Sequence, residues 1–241
     1  MNGKRALVIG SGGGIGAALV DQLASSGQFD RIYAGSRRPH AARQSNVTQL
    51  AIDILDEDTL AEAGRQIAQE GALDLLIVAT GILHRGTDIR PEKSLRQLNV
   101  SAMAEVFAIN SIGPALVAKH FLPLLARRRR AVAIFLSARV GSIADNRLGG
   151  WHSYRASKAA LNALVRCFAI ELGRSNPEAI VAALHPGTVD TPLSEPFQAR
   201  VAESSLFSAN NSAMHILGVI DQLSSTDSGG FYGWDRRPIP Y

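Results

Sequence analysis

A single cysteine, Cys167, stands in the 241 residues, inside an apolar helical stretch where a buried, inert thiol is expected. No internal disulfide can form, and a reducing compartment, the cytoplasm, is the expected setting. Aromatic residues are scarce at 6%, and none interrupts the densest basic run, Arg127 to Arg130. A nucleic-acid surface spreads basic groups over a face and stacks bases on aromatic rings. The run reads instead as a solvated loop, and no nucleic-acid partner is expected. Long hydrophobic runs are missing too. Ala131 to Leu136 is strand-sized, far short of the about 20 residues of a membrane span, so no membrane partner is expected. The start, Met1-Asn2-Gly3-Lys4-Arg5, leads straight into apolar residues without the features of a signal peptide. The six histidines show neither H-x-x-x-H nor H-E-x-x-H spacing, so no metal is expected. No G-x-S-x-G elbow argues for a serine hydrolase.

What the chain does have is alternation. Short apolar runs at 5–9, 31–35, 48–52, 74–79, 131–137, 180–184 and 230–234 are separated by stretches of helical period, among them 56–69 and 98–125. Nearly all-apolar strands alternating with helices predict a parallel sheet covered on both faces. Right-handed crossovers make it a Rossmann-type doubly wound α/β sheet of about seven strands. No repeat or Gly/Pro/Ser-rich linker divides the chain, so 1–241 is expected to form one domain. The stretch 190–212, rich in small polar residues, is expected to be its mobile substrate loop. The net charge of +4 favours an anionic ligand over a cationic one.

Gly10-Ser11-Gly12-Gly13-Gly14-Ile15-Gly16 follows the first strand and opens the first helix. Glycines there permit a tight turn and close approach of a pyrophosphate to the backbone, and the helix N-terminus supplies unpaired N–H groups. No G-K-[ST] closes the loop, which argues against a Walker-type phosphatase. The second strand runs into Ser36 and Arg37. Dinucleotide sites that take NAD hold the ribose with an acidic residue at this place; a guanidinium suits a 2′-phosphate. The expected cofactor is therefore NADP(H).

Tyr154 and Lys158 are four residues apart on a helical stretch, so both project from one face. A phenol is a poor acid–base group near neutrality, and a nearby ammonium is expected to lower its pKa. That would make proton exchange with a carbonyl or alcohol practicable.

Taken in order, these motifs resemble the classical short-chain dehydrogenase/reductase family over nearly the whole chain. Ser137 to Ile143, the Gly149-Gly150-Trp151 approach to Tyr154 and the stretch from Gly229 to Asp235 resemble its C-factor-like subgroup, close to the sniffer-type carbonyl reductases. The resemblance implies that Asp53 and Ile54 hold the adenine, and that Ala79 and Gly81 follow the fourth strand beside the cofactor. It implies that Asn110 organises a water-linked proton relay and that Lys158 also contacts the nicotinamide ribose. Pro186, Gly187, Val189 and Thr191 would orient the nicotinamide. The implied activity is NADPH-dependent reduction of a ketone or aldehyde, or oxidation of the matching alcohol, with Tyr154 as proton donor or acceptor. The implied assembly is a homodimer or homotetramer.

Three positions depart from the family pattern. Ile9 replaces a threonine before the first glycine. Val78-Ala79-Thr80-Gly81 replaces N-N-A-G, with Thr80 a partial substitute for a bracing asparagine. Ala138 stands where the catalytic serine should be. Ser137, turned inward by a shifted strand end, or Ser142, reaching back from the next loop, could supply the hydroxyl, and Ser137 is the expected choice. The lost serine also motivates a second reading, an NADP(H)-binding signalling or sensor protein with little turnover. Tighter binding of NADPH than of NADH is the expected outcome of direct titration. Equal dissociation constants would overturn the role given to Ser36 and Arg37.

Overall fold

Apolar runs of strand length, with alternate side chains on opposite faces, can bury both faces only beneath two layers of helices. The computed structural model describes residues 3–39, 41, 44–200, 202 and 205–241. His40, and Val201, Glu203 and Ser204 of the expected substrate loop, lie outside the described residues. Strands β1 (Arg5–Ile9), β2 (Arg31–Ser36), β3 (Val47–Ala51), β4 (Leu75–Val78), β5 (Ala131–Leu136), β6 (Ala179–His185) and β9 (Phe231–Gly233) form one sheet in the order β3-β2-β1-β4-β5-β6-β9. All its ladders are parallel. The reversal of strand order between β1 and β4 creates the crevice in which such folds bind ligands. The short strands β7 (Thr188–Val189) and β8 (Leu206–Phe207) pair with each other outside that sheet.

Helices α1 (Gly14–Ser25) and α6 (Ala209–Gln222) cover one face, where Val8, Ile77, Ile134 and Leu184 meet Leu19, Leu23, Ile216 and Val219. On the other face, Leu7, Leu76, Phe135 and Val181 meet Ile67 of α2 (Glu57–Glu70), Phe121 of α4 (Gly113–Phe121) and Leu161 of α5 (His152–Gly173). Helix α3 (Val100–Phe107) runs into α4 through a π-helical turn, Ala108–Ile112. The run Val100–Leu124 is long and apolar enough, by length and composition, to cross a membrane. In this fold it packs beside α2 and α5 with Val106, Val117 and Phe121 buried.

The basic run is only in part the solvated loop expected. Arg129 Nε donates to the buried Asp74 at 2.8 Å, and Arg130 donates to the Ile220 and Leu223 carbonyls at the end of α6. Cys167, expected to be buried in α5, is exposed.

One glycine fixes how α1 meets the sheet. A Cβ at Gly16 would stand 2.1 Å from Gly10 O, so only a residue without a side chain lets the helix seat on the end of β1. Gly16→Ala is expected to cost roughly 1–3 kcal/mol or more through forced backbone shifts. Thermal denaturation should read this as a fall in Tm of roughly 2–12 °C.

Candidate active site

The ends of β1, β2, β4 and β6 converge on one edge. At the first, Gly10 takes φ +93°, and Gly10 N and Ser11 N both donate to Gly35 O, at 2.9 and 3.1 Å. Helix α1 then opens without a side-chain cap or an acidic residue in its first turn, so its amides and partial positive charge remain available to an anion. Ile15 and Gly16 lie in that turn. A Cβ at Gly14 would meet Thr191 Cγ2 at 2.9 Å, and one at Gly12 would lie 3.7 Å from Ser36 Cβ. Thr191, in the bend after β7, and Ser36, at the end of β2, therefore flank the loop. Ser36 Oγ donates to Arg38 O at 3.0 Å, and Arg37 is exposed beside it. Asp53 Oδ1 accepts from Leu55 N at 3.0 Å, and Ile54 fills the space that a Cβ on Gly113 would need. Ala79 N donates to Ile9 O at 2.8 Å. Pro186 O accepts from Ser212 Oγ at 2.9 Å, Gly187 takes φ +85°, and Val189 is buried. A glycine cradle with an uncapped helix end and a neighbouring guanidinium fits a phosphorylated dinucleotide.

Tyr154 and Lys158 share the buried face of α5. Lys158 Nζ donates to Leu136 O at 2.9 Å, and a Cβ on Gly81 would lie 3.4 Å from both Lys158 Nζ and Asn110 Oδ1. Gly81 is thus the bare floor between them. Asn110, fully buried in the π turn, accepts from Ile82 N at 2.8 Å and donates to Ile82 O and Ser157 Oγ at 2.9 and 3.0 Å. Ser157 Oγ in turn donates to Tyr154 O at 2.8 Å, and Ser111 Oγ to Ser157 O at 2.7 Å. The chain from Ile82 through Asn110 to the backbone of Tyr154 is therefore continuous. Pro114 lacks an N–H, so it offers none to the Asn110 carbonyl four residues earlier. A π turn at that point is a recurrent device at functional sites.

Burial governs the charges. It lowers the Lys158 ammonium from 10.5 to about 8 and raises the Tyr154 phenol well above its ordinary value. The expected lowering of Tyr154 by Lys158 is not what this arrangement gives, because desolvation dominates and the ammonium is engaged by Leu136 O. Tyr154 stays a neutral phenol through the physiological range, the form in which it can give up a proton.

The inward hydroxyl assigned to Ser137 is corrected by the geometry. Ser137 Oγ donates to Asn162 Oδ1 at 2.7 Å, and both residues are buried. Asn162 lies two turns along α5 from Tyr154. The expected shift of the strand end does not occur: Ser137 N still bonds Leu184 O at 2.8 Å. Ser142, the alternative, is buried and accepts from Asp145 N at 3.0 Å. Ala138 is extended and puts a methyl group at the family's serine position. Thr80 does not brace the sheet: its Oγ1 is buried with no partner among the described residues.

Three segments meet around Tyr154. The Trp151 ring is 6.3 Å from that of Tyr154 and 5.1 Å from that of Phe197, and His84 packs 5.6 Å from Phe197. His84 Nε2 also lies 2.9 Å from Pro192 O. Trp151 takes φ +51°, after Gly149 at +62° and Gly150 at +64°, a conformation that costs a side-chain-bearing residue about 1–2 kcal/mol. Sequence reasoning had no means of finding Ser111, Ser157 or Asn162, since a lone polar residue in a helix has no distinguishing pattern. The Gly149-Gly150 pair was a visible signal for the strained turn.

The shift on Lys158 makes stability depend on pH. Between pH 8 and 10 the unfolded chain holds a proton on this lysine that the folded chain has released, so stability rises with pH across that window. Lys158→Met should remove a rise of roughly 2–3 kcal/mol, measured by denaturant unfolding at the two ends of the window.

Comparison with known proteins adds to this geometry. The model of the short chain dehydrogenase family matches residues 4–202. The C-signal protein of Myxococcus xanthus is 34% identical over 149 residues, covering 61% of this chain and 84% of that one. An oxidoreductase of Schizosaccharomyces pombe is 28% identical over 257 residues, covering 97% of this chain and 96% of that one. NADPH-bound carbonyl reductase from chicken fatty liver superposes with a TM-score of 0.85 at 27% identity, over the whole of both chains. The carbonyl reductase Sniffer of Drosophila melanogaster does so with 0.84 at 25%, again over both whole chains. With a family match over most of its length, the chain belongs to the short-chain dehydrogenase family of oxidoreductases.

Proposed function

We propose that the protein reduces a ketone or aldehyde with NADPH, and that Tyr154 delivers the proton to the carbonyl oxygen. The observation that carries this reading is a neutral, buried phenol one helical turn from a buried ammonium, beside an open glycine cradle. Gly10, Ser11, Gly14, Ile15 and Gly16 would hold the pyrophosphate, and Ser36 and Arg37 the 2′-phosphate. Asp53 and Ile54 would hold the adenine. Ala79, Gly81, Pro186, Gly187, Val189 and Thr191 would seat the nicotinamide end. When bound, the cofactor supplies the hydride equivalent, and the protein's part is geometry and charge.

Tyr154 donates its phenolic proton to the oxygen on which negative charge develops. Lys158, mostly charged at neutral pH, would oppose the charge left on the phenolate and would also hold the nicotinamide ribose. Asn110, whose carbonyl receives no N–H from Pro114, would offer an acceptor through which the proton is returned from solvent. Trp151 and Phe197 give the substrate an apolar wall.

Ala138 removes the second hydroxyl that would stabilise the developing oxyanion, and Ser137 is spent on Asn162. That favours slow turnover, and it is the observation behind a second reading, an NADP(H)-binding signalling protein related to the C-signal of Myxococcus xanthus. A homodimer or homotetramer belongs to the same proposal, with exposed Val100, Ile112 and Ile170 on the long helices as its apolar surface; a monomer in sedimentation would overturn it.

NADPH absorbance against a panel of aldehydes, ketones and quinones tests the reading. Tyr154→Phe is expected to abolish turnover and leave NADPH binding intact. Ala138→Ser should raise kcat by about tenfold or more, since one such donor is worth about 10²–10³. Ser137→Ala, whose hydroxyl serves packing, should change kcat little. Tight NADPH binding with no turnover in either the natural protein or Ala138→Ser would favour the signalling reading.

A further inference from the structure

Helix α5 carries Tyr154, and Arg155 of its first turn donates to Gly150 O and Val140 O, yet no local side chain caps its amides. Trp151, at the N-cap, supplies no side-chain cap, and the first turn has no acidic residue. The amides there still need acceptors. They are found on Glu92, 61 residues upstream: Oε2 accepts from Ser153 N at 3.2 Å, and Oε1 accepts from Ser153 Oγ. The Glu92 main-chain oxygen also accepts from Trp151 N at 2.5 Å. Glu92 is 5% exposed, and none of the ion pairs among the described residues involves it.

A carboxylate taken out of water is unfavourable unless its oxygens are bonded. A helix N-terminus is the neutral environment that best accepts it, through free amides and partial positive charge. A serine or aspartate at position 151 could have capped the helix locally. A remote carboxylate does something a local cap cannot: it fixes the helix start to the segment after β4. That segment is itself pinned at Ile82 by Asn110. Tyr154 therefore lies between two clamps, Glu92–Ser153 on its N-terminal side and Ser157–Asn110 on the other. Glu92, Ser153 and Tyr154 line one small cavity with Leu83, Ile89 and Val106.

We propose that Glu92 is a positioning residue, whose carboxylate and main-chain oxygen together fix the Tyr154 phenol and the Trp151 ring at the reacting carbonyl. The inference rests on the proposed role of Tyr154. Misplacement of a reacting group by about 1 Å can cost about 10²-fold in rate. In the full-length protein with NADPH and a carbonyl substrate, Glu92→Ala is expected to lower kcat at least about tenfold and raise the substrate KM. The NADPH dissociation constant should stay within about twofold, because the glycine loop is untouched. Glu92→Gln keeps an oxygen that accepts from Ser153 and should restore kcat to within about threefold. Where Glu92→Ala fails to fold, Ser153→Ala provides the test, with an expected loss of about three- to tenfold in kcat.

A second measurement needs no turnover. Amide hydrogen exchange at Ser153 and Tyr154 should accelerate about tenfold or more in Glu92→Ala and stay near the natural rate in Glu92→Gln. Unchanged kcat, KM and exchange in a folded Glu92→Ala would overturn the proposal. So would a fall in kcat that tracks equal losses of NADPH affinity and Tm, and so would unchanged kcat in Ser153→Ala. Turnover that survives Tyr154→Phe would sink the reading of the reaction instead, and the exchange measurement would still decide whether Glu92 clamps the helix.

Discussion

An ammonium group held out of water at the edge of a parallel sheet is the constraint around which this site is built. Among the described residues Lys158 has one protein acceptor, the Leu136 carbonyl at the end of β5, at 2.9 Å. To bring it there, α5 must press closely on the chain leaving β5. Gly141 permits this, since a Cβ at that position would stand 2.8 Å from Lys158 Cβ. Gly81 leaves the space in front of the ammonium bare, and the π turn sets Asn110 beside it. Each of these local choices is unfavourable or neutral for the element in which it occurs. Together they place a proton donor, a cation and an amide around one open volume.

The same logic explains why the polar groups where α5 meets the π turn are so largely engaged, Asn162 Nδ2 being without a partner among the described residues. Asn110, Ser111, Ser157 and Asn162 are all buried, and a buried polar group without a partner is costly. Their hydrogen bonds run in series from the loop after β4, through the π turn, into the backbone of the helix that carries Tyr154. A network of this kind specifies one arrangement of helix on helix more sharply than apolar packing does. It also accounts for the fate of Ser137, whose hydroxyl is used to satisfy Asn162 rather than left to face a substrate.

Much of this was legible in the residues. The seven strands of the main sheet fall within two residues of the apolar runs, because short, two-faced burial leaves an unmistakable pattern. The glycine loop and the Tyr154–Lys158 spacing were readable for a similar reason, as each is imposed by local geometry. The strands β7 and β8 were not, since two residues carry no period, and α6 begins inside the stretch taken for a loop. Ser137 failed because its direction depends on whether the strand end shifts, a tertiary matter settled by its bond to Leu184 O. Glu92 was invisible because its partners lie about sixty residues away, and Cys167 because a helix of mixed faces does not announce which one is outward.

The contact between Gly16 and Gly10 has a consequence for how a nucleotide is received. With Gly10 and Ser11 tied to Gly35, and α1 seated against the turn with no room for a methyl group, the anion-binding amides are set before any ligand arrives. Little conformational entropy then remains to be lost at the diphosphate end on association. In the proposed reaction, any ordering on substrate binding would be left to the other end of the crevice, where Trp151, Phe197 and His84 meet. One half of the cleft is a rigid socket, and selectivity among substrates becomes the business of the other.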